Sequence, residues 1–159
     1  MVDTVPPAVR SRMMSAVRGR DTKPELTVRR LLRDLGVGYR LHVKGLPGRP
    51  DIVMQGRRKI IEVRGCFWHR HPGCRFAYTP KSRQEFWDAK FQANVSRDRR
   101  NEIALRNSGW EVLTIWECEA SDANVLRAKL AEFVRASEDL REANRKRCHQ
   151  EEAGKATIG

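Results

Sequence analysis

Residues 65–74 read "GCFWHRHPGC", and the next cysteine in the chain is Cys118. Zinc takes four soft or borderline ligands in a tetrahedron, and Cys66, His71 and Cys74 offer three of them within one short segment. Pro72 and Gly73 supply the bend that returns Cys74 toward Cys66. The segment follows the apolar run "RKIIEVRG" (58–65), and Cys118 follows another, "GWEVLTIWE" (109–117). Both runs read as strands. A fourth ligand at Cys118 therefore requires the two strands to be neighbours in one sheet with their ends together, the loop after the first being stapled to the sheet edge. The alternative is that these cysteines are small buried hydrophobes and His71 is incidental. Disulfides are not expected in a reducing cytosol, and Cys148, in a charged stretch, reads as a free thiol. His69 stands two residues before His71. In an extended loop the two side chains diverge, which leaves His69 for another task.

The other elements are consistent with a sheet. "DTKPELTVRRLLRDLG" (21–36) reads as a helix capped by Thr22, with Pro24 and Glu25 in its first turn, Gly36 at its end, and Leu26, Leu31, Leu32 and Leu35 on its apolar side. "YRLHV" (39–43) alternates as a strand does. "LPGRP" (46–50) is a turn, and "DIVM" (51–54) pairs with 58–65 as a hairpin. Residues 82–107 are mainly helical. Residues 122 to about 147 read as a helix with Val125, Leu126, Leu130, Phe133 and Val134 inward. The order predicts a mixed α/β domain: a mixed central sheet flanked by helices, with a structural zinc site. The division is a basic arm at 1–20, a domain at 21–140 and a charged tail at 141–159.

The chain carries a net charge of +12, for which a polyanion is the natural partner. No apolar run approaches the roughly 18 residues that cross a membrane, and the first residues lack the apolar core of a secretory signal, so a cytoplasmic location is expected. Acids gather at the hairpin. Asp51 begins one strand, while Glu62 and Arg64 share a face at the end of the next. Antiparallel pairing brings Asp51 toward them. Carboxylates around a hard divalent cation activate water against phosphodiesters, and a cation such as Arg64 neutralises charge on the phosphorane. On the long helix Lys90, Asn94 and Arg97 share one side, where they meet phosphates or base edges, or else only water. Trp110 and Trp116, on the last strand, are expected in the core.

Asp51 after a proline, followed by Glu62-x-Arg64, resembles the PD-(D/E)XK nuclease superfamily and implies its restriction-endonuclease-like fold, with Glu25 as the acid contributed by the preceding helix. A longer set of blocks, "GRDTKPE" (19–25), "LPGRPDIV" (46–53), "GCFWHRHPGC" (65–74), "EFWDAKFQANVSRDRRN" (85–101) and "GWEVLTIWEC" (109–118), resembles the very-short-patch-repair (Vsr) DNA mismatch endonucleases from about Arg10 to Phe133. That resemblance implies a nick beside the T:G mismatch left when 5-methylcytosine deaminates. It implies Mg2+ on Asp51, with the Val63 carbonyl as a further ligand, and His69 assisting the attacking water or the leaving group; Glu62, which fits the general nuclease pattern, is a candidate second metal ligand. The Vsr resemblance implies zinc at Cys66, His71, Cys74 and Cys118. Phe67, Trp68 and Trp87 would wedge into the base stack, which a mismatch makes easier to open. The implied associates are mismatched duplex DNA, a cytosine-5 methyltransferase that creates the lesion, and a polymerase and ligase that repair it. A single nick needs only a monomer, acting at the nucleoid. Many members of the family have histidine where this chain has Arg64 and an apolar residue where it has Glu62. Two other readings stay open: a Vsr-like nuclease with a different DNA target, and a zinc-stabilised DNA-binding module without activity.

Overall fold

The computed structural model describes residues 19–136. The expected arm, tail and Cys148 lie outside them, apart from Gly19 and Arg20.

Helix α1 spans Lys23–Asp34. Thr22 caps it from an extended backbone: its hydroxyl accepts the Glu25 N–H at 3.4 Å and donates to Glu25 Oε1 at 3.2 Å. The helix ends because Gly36 takes a φ of 70°, which lets Gly36 N donate to Arg33 O and Val37 N to Leu32 O. Val28, Leu31 and Leu32 face the core, with Leu35 packed beside them. Leu26, expected on that side, is 49% exposed. It stands two residues before Val28, about 200° around the helix.

Strands β1 (Arg40–Leu41), β2 (Ile52–Met54) and β3 (Lys59–Arg64) form an antiparallel meander, and β4 (Glu111–Trp116) joins β3 in parallel. The expected strand over 39–43 shrinks to two residues: the chain bends at His42, whose φ is 45°, although His42 N still donates to Asp51 O. The pairing Ile52↔Ile61, carried one step further, sets Asp51 across from Glu62. The pairing Arg64↔Trp116 sets the chain leaving β3 beside the chain leaving β4.

Helix α2 (Gln84–Asn107) makes the crossover between β3 and β4, and α3 occupies residues 123–136. The pleat splits the core in two. Ile52, Ile61 and Ile115 face Val28 and Leu32 of α1 and Leu126 and Leu130 of α3. Val53, Ile60 and Val112 face the other way, with Leu105 of α2 and Trp110. Val125, expected inward, is 64% exposed, because the buried stripe of α3 runs through Leu126, Leu130 and Val134. Lys59 is fully buried, with Nζ on the Phe133 carbonyl, over the Phe133 ring, and 3.4 Å from Glu111. Among the described residues no helix is long and apolar enough to cross a membrane.

The turn before β2 is pressed against α2. Gly48 has a φ of 73°, and a Cβ built on it would meet Asn101 Nδ2 at 2.6 Å. That close approach sets the turn leading to Asp51 against α2 at Asn101.

Candidate active site

α2 is 24 residues long but buries only Trp87, Phe91 and Leu105. Between Phe91 and Leu105 its inner face is polar, and there the sheet and helix part to leave a cleft of about 730 Å³. Asp51, Glu62, Val63, His69 and Asp98 line it, with Glu25 at the α1 end.

Asp51 is half-buried, and its Oδ2 accepts the Val63 N–H at 2.8 Å. Burial pushes its carboxyl up to about 6. The Val63 N–H works against that rise, while the charges of Glu25 and Glu62 add to it. Such a group binds a cation readily, because the cation relieves the same unfavourable charge.

Glu62 is also raised by burial, although Arg64 opposes the rise. Arg64 donates to Glu62 Oε2, and its Nη2 lies 3.6 Å from Glu102 Oε2. Its Nη2 thus faces two carboxylates, and the residue lines the cleft. Glu25 is 3% exposed. Its oxygens take Asp21 N–H at 3.0 Å, the Thr22 hydroxyl, and Arg29 at 2.8 Å. It charges the cleft while tying down the start of α1 through the Asp21 N–H and the Thr22 hydroxyl.

His69 and His71 diverge as expected, but through tight turns rather than an extended loop: His69 N donates to Gly65 O and His71 N to Cys66 O. His69 Nδ1 meets Asp98 Oδ2 at 2.5 Å, which leaves Nε2 for other chemistry. Sequence reasoning missed Asp98. Its signal was the helical spacing Trp87, Phe91, Asn94, Asp98, which continues the buried stripe of α2 into the cleft.

Beyond β3 and β4, ligand atoms of Cys66, His71, Cys74 and Cys118 all lie within 4.8 Å of one another. His71 Nδ1 is 3.6 Å from Cys66 Sγ and 3.3 Å from Cys118 Sγ. Ligands about 2.3 Å from one tetrahedral ion stand roughly 3.8 Å apart, so this donor set fits a soft divalent metal. Burial pushes the Cys66 thiol up to about 12 and raises Cys118, while the Phe76 backbone N–H lowers Cys74. The His71 ring stacks on Trp116 at 4.3 Å and 11°. Trp116, expected in the core, is half-buried and braces the cluster instead.

Between the first two of these ligands, Phe67 and Trp68 stand half-buried, their rings 5.1 Å apart. Trp87, expected to wedge with them, is 6% exposed and packs beneath both, with Phe91 completing the base. Asn94 donates to the Trp68 carbonyl, Arg97 to Asn94, and Lys90 lies 5.9 Å from the Trp68 ring centre. This face of α2 buttresses the aromatic pair, and Arg97, with its side chain 54% exposed, remains within reach of solvent.

The sequence model of the family described as DNA mismatch endonuclease Vsr matches residues 2–75. The type II nicking enzyme V.XorIIP of Xanthomonas oryzae pv. oryzae is 47% identical over 134 residues, covering 84% of this chain and 98% of that one. The DNA mismatch endonuclease Vsr of Escherichia coli strain K12 is 43% identical over 118 residues, covering 74% of this chain and 75% of that one. Among solved structures, the catalytic domain of the homing endonuclease I-Bth0305I shares the fold at a TM-score of 0.50 and 23% identity, over 74% of this chain and 97% of that one.

Proposed function

The chain belongs to the Vsr DNA mismatch endonuclease family and is a DNA endonuclease, and from that premise we propose that it nicks one strand beside T:G mismatches arising from 5-methylcytosine, using Mg2+ held at Asp51. The observation that carries this reading is one cleft in which Asp51, Glu62 and the His69–Asp98 pair converge beside the Phe67–Trp68 pair. Residues 21–140 form the nuclease domain in this reading.

Asp51, whose Oδ2 is already steadied by Val63 N–H, holds the cation together with the Val63 carbonyl. When bound, Mg2+ supplies Lewis-acid stabilisation of the scissile phosphate's developing charge. Glu62, engaged by Arg64, keeps the cleft negative and is the reserve ligand. Arg64 balances Glu62 and Glu102 at the cleft wall. Asp98 orients His69, whose Nε2 exchanges a proton with the attacking water or the leaving oxygen. Phe67 and Trp68, on their bed of Trp87 and Phe91, replace base stacking where the mismatch opens. Lys90, Asn94 and Arg97 hold the duplex alongside. The product is a nick with a 5′-phosphate, for a polymerase and ligase to complete, in the cytoplasm and by a monomer. The cysteine–histidine cluster holds structural Zn2+.

A panel of duplexes tests the target. With Mg2+, single-turnover nicking of T:G DNA is expected to exceed that of matched DNA by about 10²-fold, near 2.7 kcal/mol. Equal rates would leave a nuclease with another target, and no nicking on any duplex would favour the DNA-binding module. Asp98→Asn is expected to slow T:G nicking by about 10²-fold while binding of the same duplex stays within twofold. An unchanged rate would remove the proton-transfer role of His69.

A further inference from the structure

Arg29, in the second turn of α1, has no part in the chemistry above, yet it is 6% exposed. A buried guanidinium needs opposite charge around it. Nη1 meets Asp21 Oδ1 at 2.5 Å, and Nη2 meets Glu25 Oε2 at 2.8 Å. Nη2 also lies 3.4 Å from His42 Nε2, and the buried Nε has no partner among the described residues. The two acids alone would balance the charge, and the histidine contact extends the network into the cleft. A guanidinium can only donate, so a hydrogen bond here requires His42 Nε2 as the acceptor and the ring proton on Nδ1. That Nδ1 lies 3.8 Å from Asp51 Oδ1, an electrostatic contact.

The backbone repeats the connection. Tyr39 Oη donates to the Arg29 carbonyl at 3.3 Å, and His42 N donates to the Asp51 carbonyl at 3.3 Å. His42 holds a φ of 45°, which a non-glycine residue keeps only where its surroundings over-determine it.

We propose that Arg29 and His42 form a positioning relay for the nuclease centre: Arg29 fixes the tautomer and orientation of His42, and His42 holds the Asp51 carboxylate in the pose that receives the cation. The inference rests on Asp51 being the cation's ligand. Val63 N–H holds Oδ2 at 2.8 Å, and His42 Nδ1 faces Oδ1 at 3.8 Å, wider than a hydrogen bond. Arg29 and His42 act through Asp51, as outer partners of metal ligands do.

The test uses the full chain with Arg29→Met, which keeps the length and removes the charge, and His42→Asn, which tolerates the positive φ. Each is expected to slow single-turnover nicking by about 10–100-fold and to raise the Mg2+ concentration at half-maximal rate, with duplex affinity in the absence of divalent cations within twofold of wild type. The double variant is expected to be no slower than the slower single one. Arg29→Lys, which keeps the charge without the fork, is expected to recover part of the rate. Wild-type rates and Mg2+ dependence in the single variants, additive losses in the double, or a loss confined to DNA affinity would overturn the relay. Should Arg29→Met fail to fold, His42→Asn decides alone, and a normal rate there overturns the proposal. Asp51→Asn is run in parallel: if it nicks normally, the cation-ligand reading fails first, whereas an inactive Asp51→Asn beside normal Arg29 and His42 variants condemns the relay only.

Discussion

Asp51→Asn is expected to abolish nicking and, in the same protein, to raise the stability of the metal-free fold at pH 8. The first effect follows if Asp51 is the principal cation ligand. Losing a transition-state contribution of about 4 kcal/mol slows the reaction roughly 10³-fold. The second follows from burial. The carboxyl stands at about 6 in the fold against 3.8 as a model group, so holding it ionised costs the folded state at most about 3 kcal/mol. Because the folded value is the higher one, the native protein binds the extra proton between pH 4 and 6. This contribution to stability is complete below pH 4 and is lost as pH rises through 6. Asparagine carries no charge and can still accept the Val63 N–H, so it escapes the cost. Urea unfolding without divalent cations should therefore show the variant about 1–3 kcal/mol more stable at pH 8 and equal to wild type near pH 4. Mg2+ should reverse the order by stabilising only the wild type. Nicking at limiting Mg2+ should rise with pH through about 6, with a midpoint that moves down as Mg2+ is added. A variant that nicks within tenfold of the wild-type rate, or that is no more stable than wild type at pH 8, would remove Asp51 from the centre of the site.

The parts of this arrangement that a sequence displays are those written by local rules. Thr22, Glu25 and Gly36 mark the ends of α1 whatever surrounds it, and both caps are present. The alternation through Ile61, Glu62, Val63 and Arg64 sorts core from cleft before any partner is known. The pairing of Cys118 with the 66–74 segment is legible because a four-ligand requirement links two distant strand ends. The missing parts depend on geometry between elements. Asp98 was hidden in a helix so charged that its inner stripe is marked by only three buried side chains. Arg29 and His42 were hidden because the alternation of "YRLHV" predicts a continuous strand, whereas the reversal of φ at His42 turns its ring toward α1. Leu26 and Val125 were misplaced for a simpler reason: each belongs to an apolar-looking segment but falls outside the stripe that the true phase buries. Trp87 shows the limit of transferring a role with a motif, since its ring supports Phe67 from beneath.

Cys118→Ser is expected to lose one zinc per chain and, with it, both stability and nicking at the mismatch. Three of the four donors lie in the loop after β3, and Cys118, in the short helical turn Glu117–Ser121 after β4, is the tie from that loop back to the sheet. On the sheet side the loop's start has Cys66 N donating to Glu117 Oε2 at 3.3 Å and His71 stacked on Trp116; Asn94 and Asp98 hold it to α2. Binding that occurs only in the folded state adds stability by mass action, about 4 kcal/mol when free metal exceeds its dissociation constant a thousandfold. The same loop carries Phe67 and Trp68, so its loosening should weaken T:G discrimination before it disturbs Asp51, which is held from β2 and Val63. The expected sequence under graded chelation is loss of zinc by elemental analysis, then a lower melting temperature together with a falling ratio of T:G to matched nicking. Cys148→Ser should retain the metal and the wild-type melting temperature. A Cys118→Ser protein that keeps its zinc, or that melts as wild type does and still prefers T:G, would separate the cluster from both roles.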